Sequence, residues 1–183
     1  MTDDERLALL RRRAQELLGR LGPAEREALL VKCWMAHDAR WFAAAAREGG
    51  IALANRLNRM ASREAGRVEA RRIAGALGLP PVRSADDWIL TQEALIGLLG
   101  PDLIDYRVSK EGESACRMSV ERCFAHDQVT RAGMAAEYEC GVFERVAGWL
   151  DALGVRHQLA PTLGRCLKAQ GRECAYTITL GPA

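Results

Sequence analysis

Of the six cysteines in this 183-residue chain, four fall in its last third: Cys123, Cys140, Cys166 and Cys174. Thiolate is a soft, charged donor. Four on one small module form the ligand set of a tetrahedral zinc site or an iron–sulfur cluster, not of a hard cation. The last two frame the segment Cys166-Leu-Lys-Ala-Gln-Gly-Arg-Glu-Cys174. A tight turn at Gln170-Gly171-Arg172 would place them on opposite arms of a hairpin, where facing residues lie about 5 Å apart. Cys123, after a strand, and Cys140, near a helix start, then need only fold over that hairpin. His126, three residues after Cys123, could replace one thiolate. The alternative is that the four thiols simply pack. Cys116 alternates with Met118 and Val120 and is assigned to the core.

A second group lies on Lys32-Cys-Trp-Met-Ala-His-Asp-Ala-Arg-Trp41. Cys33 and His37 are four residues apart and share one helix face. An imidazole beside a thiol raises its thiolate fraction, which would make Cys33 a nucleophile and His37 its base, with Asp38 adjacent. The other reading buries Trp34 and Trp41 as core anchors, leaves Cys33 inert and uses His37 or Asp38 in a hydrogen bond to the next helix. On that next helix Asn58 interrupts the apolar stripe Ile51, Ala54, Ala61, Ala65 and Val68. A buried amide left without a partner costs about 1–3 kcal/mol, so Asn58 is expected to bond to Asp38 or His37. With Trp41 and Glu69, these residues would line a small-molecule pocket. The alternative is one interhelical hydrogen-bond network with Glu69 exposed.

Local signals predict the elements that must hold these residues. Leu7, Leu10, Ala14, Leu17 and Leu21 recur at three- and four-residue steps and stripe a first helix. Gly22-Pro23 ends it and opens a second, to about Arg47, which Gly49-Gly50 stops. A third spans roughly 51–77. Ser84 caps a fourth to about Leu99, with Asp86 and Asp87 in its first turn. After Gly100-Pro101, apolar and polar residues alternate over 104–108 and 116–120 around the turn Lys110-Glu-Gly-Glu113, a β-hairpin. A helix over 135–153 follows, closed by Gly154. Strands near 155–159 and 175–180 flank a short one at 163–168. The fold class is therefore α+β: a helical region over residues 1–100 packed on a cysteine-bearing β-β-α-β-β module with an antiparallel sheet over 101–183, as one compact unit.

Lys plus Arg number 26 and Asp plus Glu 24, a net charge of +2. The two signs are interleaved, as in Arg63-Glu64, so no field gathers nucleic acid or an anionic membrane. No apolar run is long enough to span a bilayer and Met1-Thr-Asp-Asp-Glu-Arg lacks the order of a signal peptide, so a cytoplasmic protein is expected. Six cysteines in a reducing compartment then point to metal, catalysis or packing, not to disulfides. The leucine stripe of the first helix is a route to a homo-oligomer.

The stretches Trp34-Met-Ala-His-Asp-Ala-Arg-Trp-Phe42, Gly50-Ile-Ala-Leu-Ala-Asn-Arg-Leu-Asn58 and Gly66-Arg-Val-Glu-Ala-Arg71, with Cys123, Cys140 and the terminal cysteine pair, resemble a group of prokaryotic proteins related to L-2-amino-thiazoline-4-carboxylate hydrolase. The C-terminal part is similar to the 4-vinyl reductase type of small-molecule-binding domain, in which a comparable cysteine pair helps hold zinc. The first resemblance implies hydrolysis of a thiazoline-like C–N or C–S substrate by a cysteine or a metal-bound water. The second implies a non-enzymatic sensor of a small molecule or metal. In relatives proline commonly follows the cysteine matching Cys123; here Phe124 does.

Overall fold

The computed structural model describes residues 2–181. By their internal contacts these divide into two units, Met1–His37 and Asp38–Ala183. The boundary lies within the second helix rather than near residue 100, so the helices that follow belong to the same unit as the sheet.

Helix α1 (Asp3–Leu18) opens on a capping box in which Thr2 and Glu5 satisfy each other's backbone N–H groups. None of its residues is buried. Helix α2 (Pro23–Leu77) begins with proline, which has no N–H to leave unbonded, and is interrupted at Gly50 (φ 81°, ψ 161°). The predicted break thus falls at Gly50 alone, a conformation that costs glycine nothing. Helix α3 (Ala85–Leu99) carries the expected Ser84 cap, completed by Asp87.

Strands β1 (Ile104–Lys110) and β2 (Ala115–Cys123) form the predicted hairpin. They join β3 (His157–Ala160) and β4 (Ala175–Leu180) in an antiparallel sheet of order β1-β2-β4-β3. The fold is α+β. Its core gathers Trp88 and Leu95 of α3, Met118 of β2, Phe143 and Leu150 of helix α5 (Val142–Ala152), and Tyr176 and Ile178 of β4. Among the described residues, no helix is long and apolar enough to cross a membrane.

The middle of the module departs from expectation. The loop after Cys123 is a helix, α4 (Phe124–Arg131). The helix predicted from 135 begins only at Val142, after a single 3-10 turn at Ala135–Glu137. No strand forms at 163–168: one bridge, Glu139 to Arg165, stands there, followed by a 3-10 turn at Lys168–Gln170. The reason is tertiary. After the Ala135–Glu137 turn the chain runs extended through Tyr138 and Glu139, because Asn55 of α2 pairs with the backbone on either side, its amide donating to the Glu137 carbonyl at 2.7 Å and its oxygen accepting from Glu139 N–H at 3.0 Å.

The buried face of α2 beyond Gly50 also differs from the predicted stripe. Ala54, Asn55, Gly66, Ala70 and Ile73 are buried, whereas Ala61 and Val68 are exposed. This helix meets α5 through glycine rather than through large apolar side chains. A Cβ on Gly66 would lie 2.3 Å from the Arg145 carbonyl oxygen, and one on Gly148 would lie 2.2 Å from that of Arg63. Beside the crossing, Arg59 pairs with Glu139 and Glu144, Arg63 with Glu144 and Asp151, and Arg67 with Asp151.

Candidate metal centre

The four C-terminal cysteines are brought together by backbone pairing from four places in the chain. Cys123 ends β2 and precedes the first turn of α4. Cys174 lies beside β2, its carbonyl accepting from Val120 N–H at 2.8 Å. Cys140 and Cys166 flank the Glu139–Arg165 bridge: Cys140 N–H donates to Gly164 and Cys166 N–H to Tyr138, each at 2.8 Å. The hairpin expected between Cys166 and Cys174 is instead the 3-10 turn closed by left-handed Gly171. It returns the chain to β4 all the same, so convergence survives the change of element.

All four line one cavity, together with Val120, His126, Tyr138, Phe143 and Lys168. The cavity is about 10 Å³, room for one water-sized body. Burial pushes every resolved thiol upward. Cys174 rises to about 12, through burial and then the charges of Cys123 and Cys166. Cys140 is also raised by burial, with Cys123, Cys174 and Cys166 adding to it and the N–H of Phe143 opposing. At Cys123 burial again leads, while the N–H groups of His126 and Ala125 at the start of α4 favour the charged form. These thiols titrate against one another, as groups around a common point do.

Among the described residues, no three Cys, His, Asp or Glu side chains form a group that could hold a metal ion as they stand. The donor chemistry nevertheless fits one. A soft cation would offset the burial and mutual repulsion that hold these thiols in the protonated form, and two of the sulfurs already face helix-start N–H groups. Cys116 is buried in the core among Met118 and Tyr176, as its alternation predicted.

None of the site residues predicted on α2 lines this cavity. Asn58, expected to bond to Asp38 or His37, donates to the Tyr138 hydroxyl at 3.5 Å. Glu69 is not exposed: it accepts from the Trp149 indole at 3.0 Å and faces Arg145. The reading of Trp34 and Trp41 as core anchors is corrected, since they are 37% and 65% exposed and Met35 is the buried residue of that segment. Cys33, His37 and Asp38 are exposed as well. Three residues absent from the sequence reading matter to the centre. Asn55 and Tyr138 hold the Cys140 segment, and Lys168 lines the cavity while donating to the Glu121 carbonyl at 2.5 Å. No periodicity marks them: Asn55 and Lys168 bond to backbone groups of distant segments, and Tyr138 accepts from Gly141 N–H three residues on and from the Asn58 amide.

A family of proteins of unknown function, DUF6125, matches residues 26–146. The chain belongs to this family. The DUF6125 match takes in Cys33, His37, Asp38, Trp41, Asn58, Glu69, Cys123 and Cys140 and ends before Cys166 and Cys174. No curated protein matches the chain.

Proposed function

We propose that this protein binds a single metal ion of the zinc class through Cys123, Cys140, Cys166 and Cys174, as a structural centre. The carrying observation is the convergence of four thiols from separate elements on one cavity of about 10 Å³. A lone tetrahedral ion needs only the four sulfurs, whereas an iron–sulfur cluster must also accommodate its inorganic sulfides. When bound, the ion would supply the cationic charge that buried thiolates require. The protein's part is to hold the four sulfurs on the end of β2, the start of α5 and the 166–174 loop, to exclude bulk water through Val120, Tyr138 and Phe143, and to give up the thiol protons on loading.

Four thiolates fill a tetrahedral ion and leave no position for water. Hydrolysis of a thiazoline-like substrate would therefore have to use other groups, of which exposed Cys33 and His37 are the candidates. The reading we favour is a metal-stapled binding module of the sensor class rather than a hydrolase. Protein purified without oxygen should be colourless and carry one zinc per chain by elemental analysis. A brown protein carrying iron and acid-labile sulfide would establish the cluster instead. Undiminished metal in a Cys166→Ser, Cys174→Ser double variant would end the proposal.

A further inference from the structure

Away from the cysteine cavity, the apolar core holds a polar pair. Helix α3 packs on β1 and β2 and buries Trp88, Gln92, Leu95 and Ile96, positions at the three- and four-residue steps of one helix face. Tyr106 of β1 holds that seat from its edge, donating its hydroxyl proton to Glu93 at 2.9 Å. Trp88 and Gln92 are both 0% exposed, yet the Trp88 indole nitrogen and both amide atoms of Gln92 have no hydrogen-bond partner among the described residues. Thr91, the other buried polar residue of this helix, is satisfied by the Asp87 carbonyl at 2.8 Å. A buried polar atom without a partner bears its full desolvation cost, and here three such atoms lie one helical turn apart.

The donors and acceptor select what fits between them. The indole offers one N–H, and the Gln92 amide offers an N–H and a carbonyl oxygen side by side in one plane. An anion would be repelled by that oxygen and would find no counter-charge in a cluster of apolar side chains, while a cation would meet two N–H groups. An uncharged oxygen that carries hydrogen answers all three atoms. It accepts from Gln92 Nε2–H, donates to Gln92 Oε1 and takes the indole N–H on its second lone pair. Three bonds to groups otherwise unsatisfied are the usual number for an internal water. Packed interiors leave few voids larger than a water molecule, so a site sealed from solvent takes water rather than a larger alcohol.

We propose that Trp88 and Gln92 form an internal binding site for one water molecule, which bridges the two side chains and fixes the rotation of α3 over the sheet. A polar group in a core specifies one packing only when it is fully satisfied, and the water completes the set. The site shares no residue with the lining of the cysteine cavity, so it stands or falls independently of the metal.

A crystal structure of the purified protein at a resolution that orders solvent should show one water within about 2.7–3.2 Å of Trp88 Nε1, Gln92 Nε2 and Gln92 Oε1. In solution, the Trp88 indole proton should give a nuclear Overhauser cross-peak to a long-lived water. Gln92→Met keeps the length of the side chain and removes two of the water's partners. It should raise the unfolding constant roughly 5–30-fold in denaturant titrations. A dry Gln92 predicts the opposite sign, because the same change would then remove an unpaired buried amide and stabilise the fold. A site without water in the crystal, an indole and amide bonded there to protein groups alone, or a Gln92→Met variant at least as stable as the wild type would each overturn the proposal.

Discussion

At the scale of single residues, the structure separates six cysteines into three environments: exposed Cys33, core Cys116 and the four of the cavity. A zinc-loaded protein should accordingly show one fast-reacting thiol under native conditions, removed by Cys33→Ser, and the cavity thiols should become reactive only after chelation. Fast labelling of Cys140 or Cys174 in loaded protein would contradict the centre. Replacing Cys116 should leave metal content unchanged. The two asparagines of α2 should also differ. Asn55 is 4% exposed and exchanges two hydrogen bonds with the backbone at Glu137 and Glu139, so Asn55→Leu leaves a part-buried carbonyl and N–H without their partner. A cost of about 1–3 kcal/mol is expected, with weakened metal retention because residues 137–139 set the position of Cys140. Asn58 makes one long bond to Tyr138, and Asn58→Leu should cost less in the same denaturant titration.

At the scale of elements, the α2–α5 crossing depends on two glycines and an arginine ladder. Gly66→Ala and Gly148→Ala would each drive a methyl into the partner helix backbone, which cannot swing aside as a side chain can. Each should cost about 1–3 kcal/mol by overpacking. Gly75→Ala, on the same helix with nothing within 4 Å, should instead stabilise by about 0.5–1 kcal/mol. Equal effects at all three sites in thermal melts would refute the close crossing. The ladder predicts a pH dependence. Burial pushes the Asp151 carboxyl up, but hydrogen bonds and charge from Arg63 and Arg67 outweigh it and hold the group below the usual carboxylate range. A native value below the unfolded one, about 3.9 for an aspartate, contributes stability above that pH and loses it as pH falls through the lower native value. Asp151→Asn should therefore lower stability at neutral pH and flatten the loss of stability in acid, as measured by denaturant titrations at successive pH values.

At the scale of the whole molecule, the proposed ion joins strand, helix and loop at a point where no covalent link does. Chelation should lower the melting temperature; a loss of about 3 kcal/mol would appear as roughly 6–12 °C in a chain of this size. Hydrogen exchange should increase at residues 123–140 and 166–174 and stay slow in α3 and β1. What could be read from the sequence was whatever local chemistry decides. The Ser84 cap, the break at Gly50, the hairpin over 104–120 and the strand at 175–180 follow from caps, a left-handed glycine and alternation, each acting within a few residues. The burial of Cys116 followed from its strand face. The choice of Cys123, Cys140, Cys166 and Cys174 as a group came from residue type alone, and their shared cavity came from the fold. Tertiary structure alone decided that Tyr138 and Glu139 stay extended, because the amide that pairs with the backbone there belongs to a helix more than 80 positions away. It also decided which side of α2 is buried, since a crossing made by glycine and arginine carries no apolar period. The exposure of Trp34 and Trp41 could not be read from their hydrophobicity, because a residue's type states what burial would gain and only the packed chain determines how much of the side chain is covered.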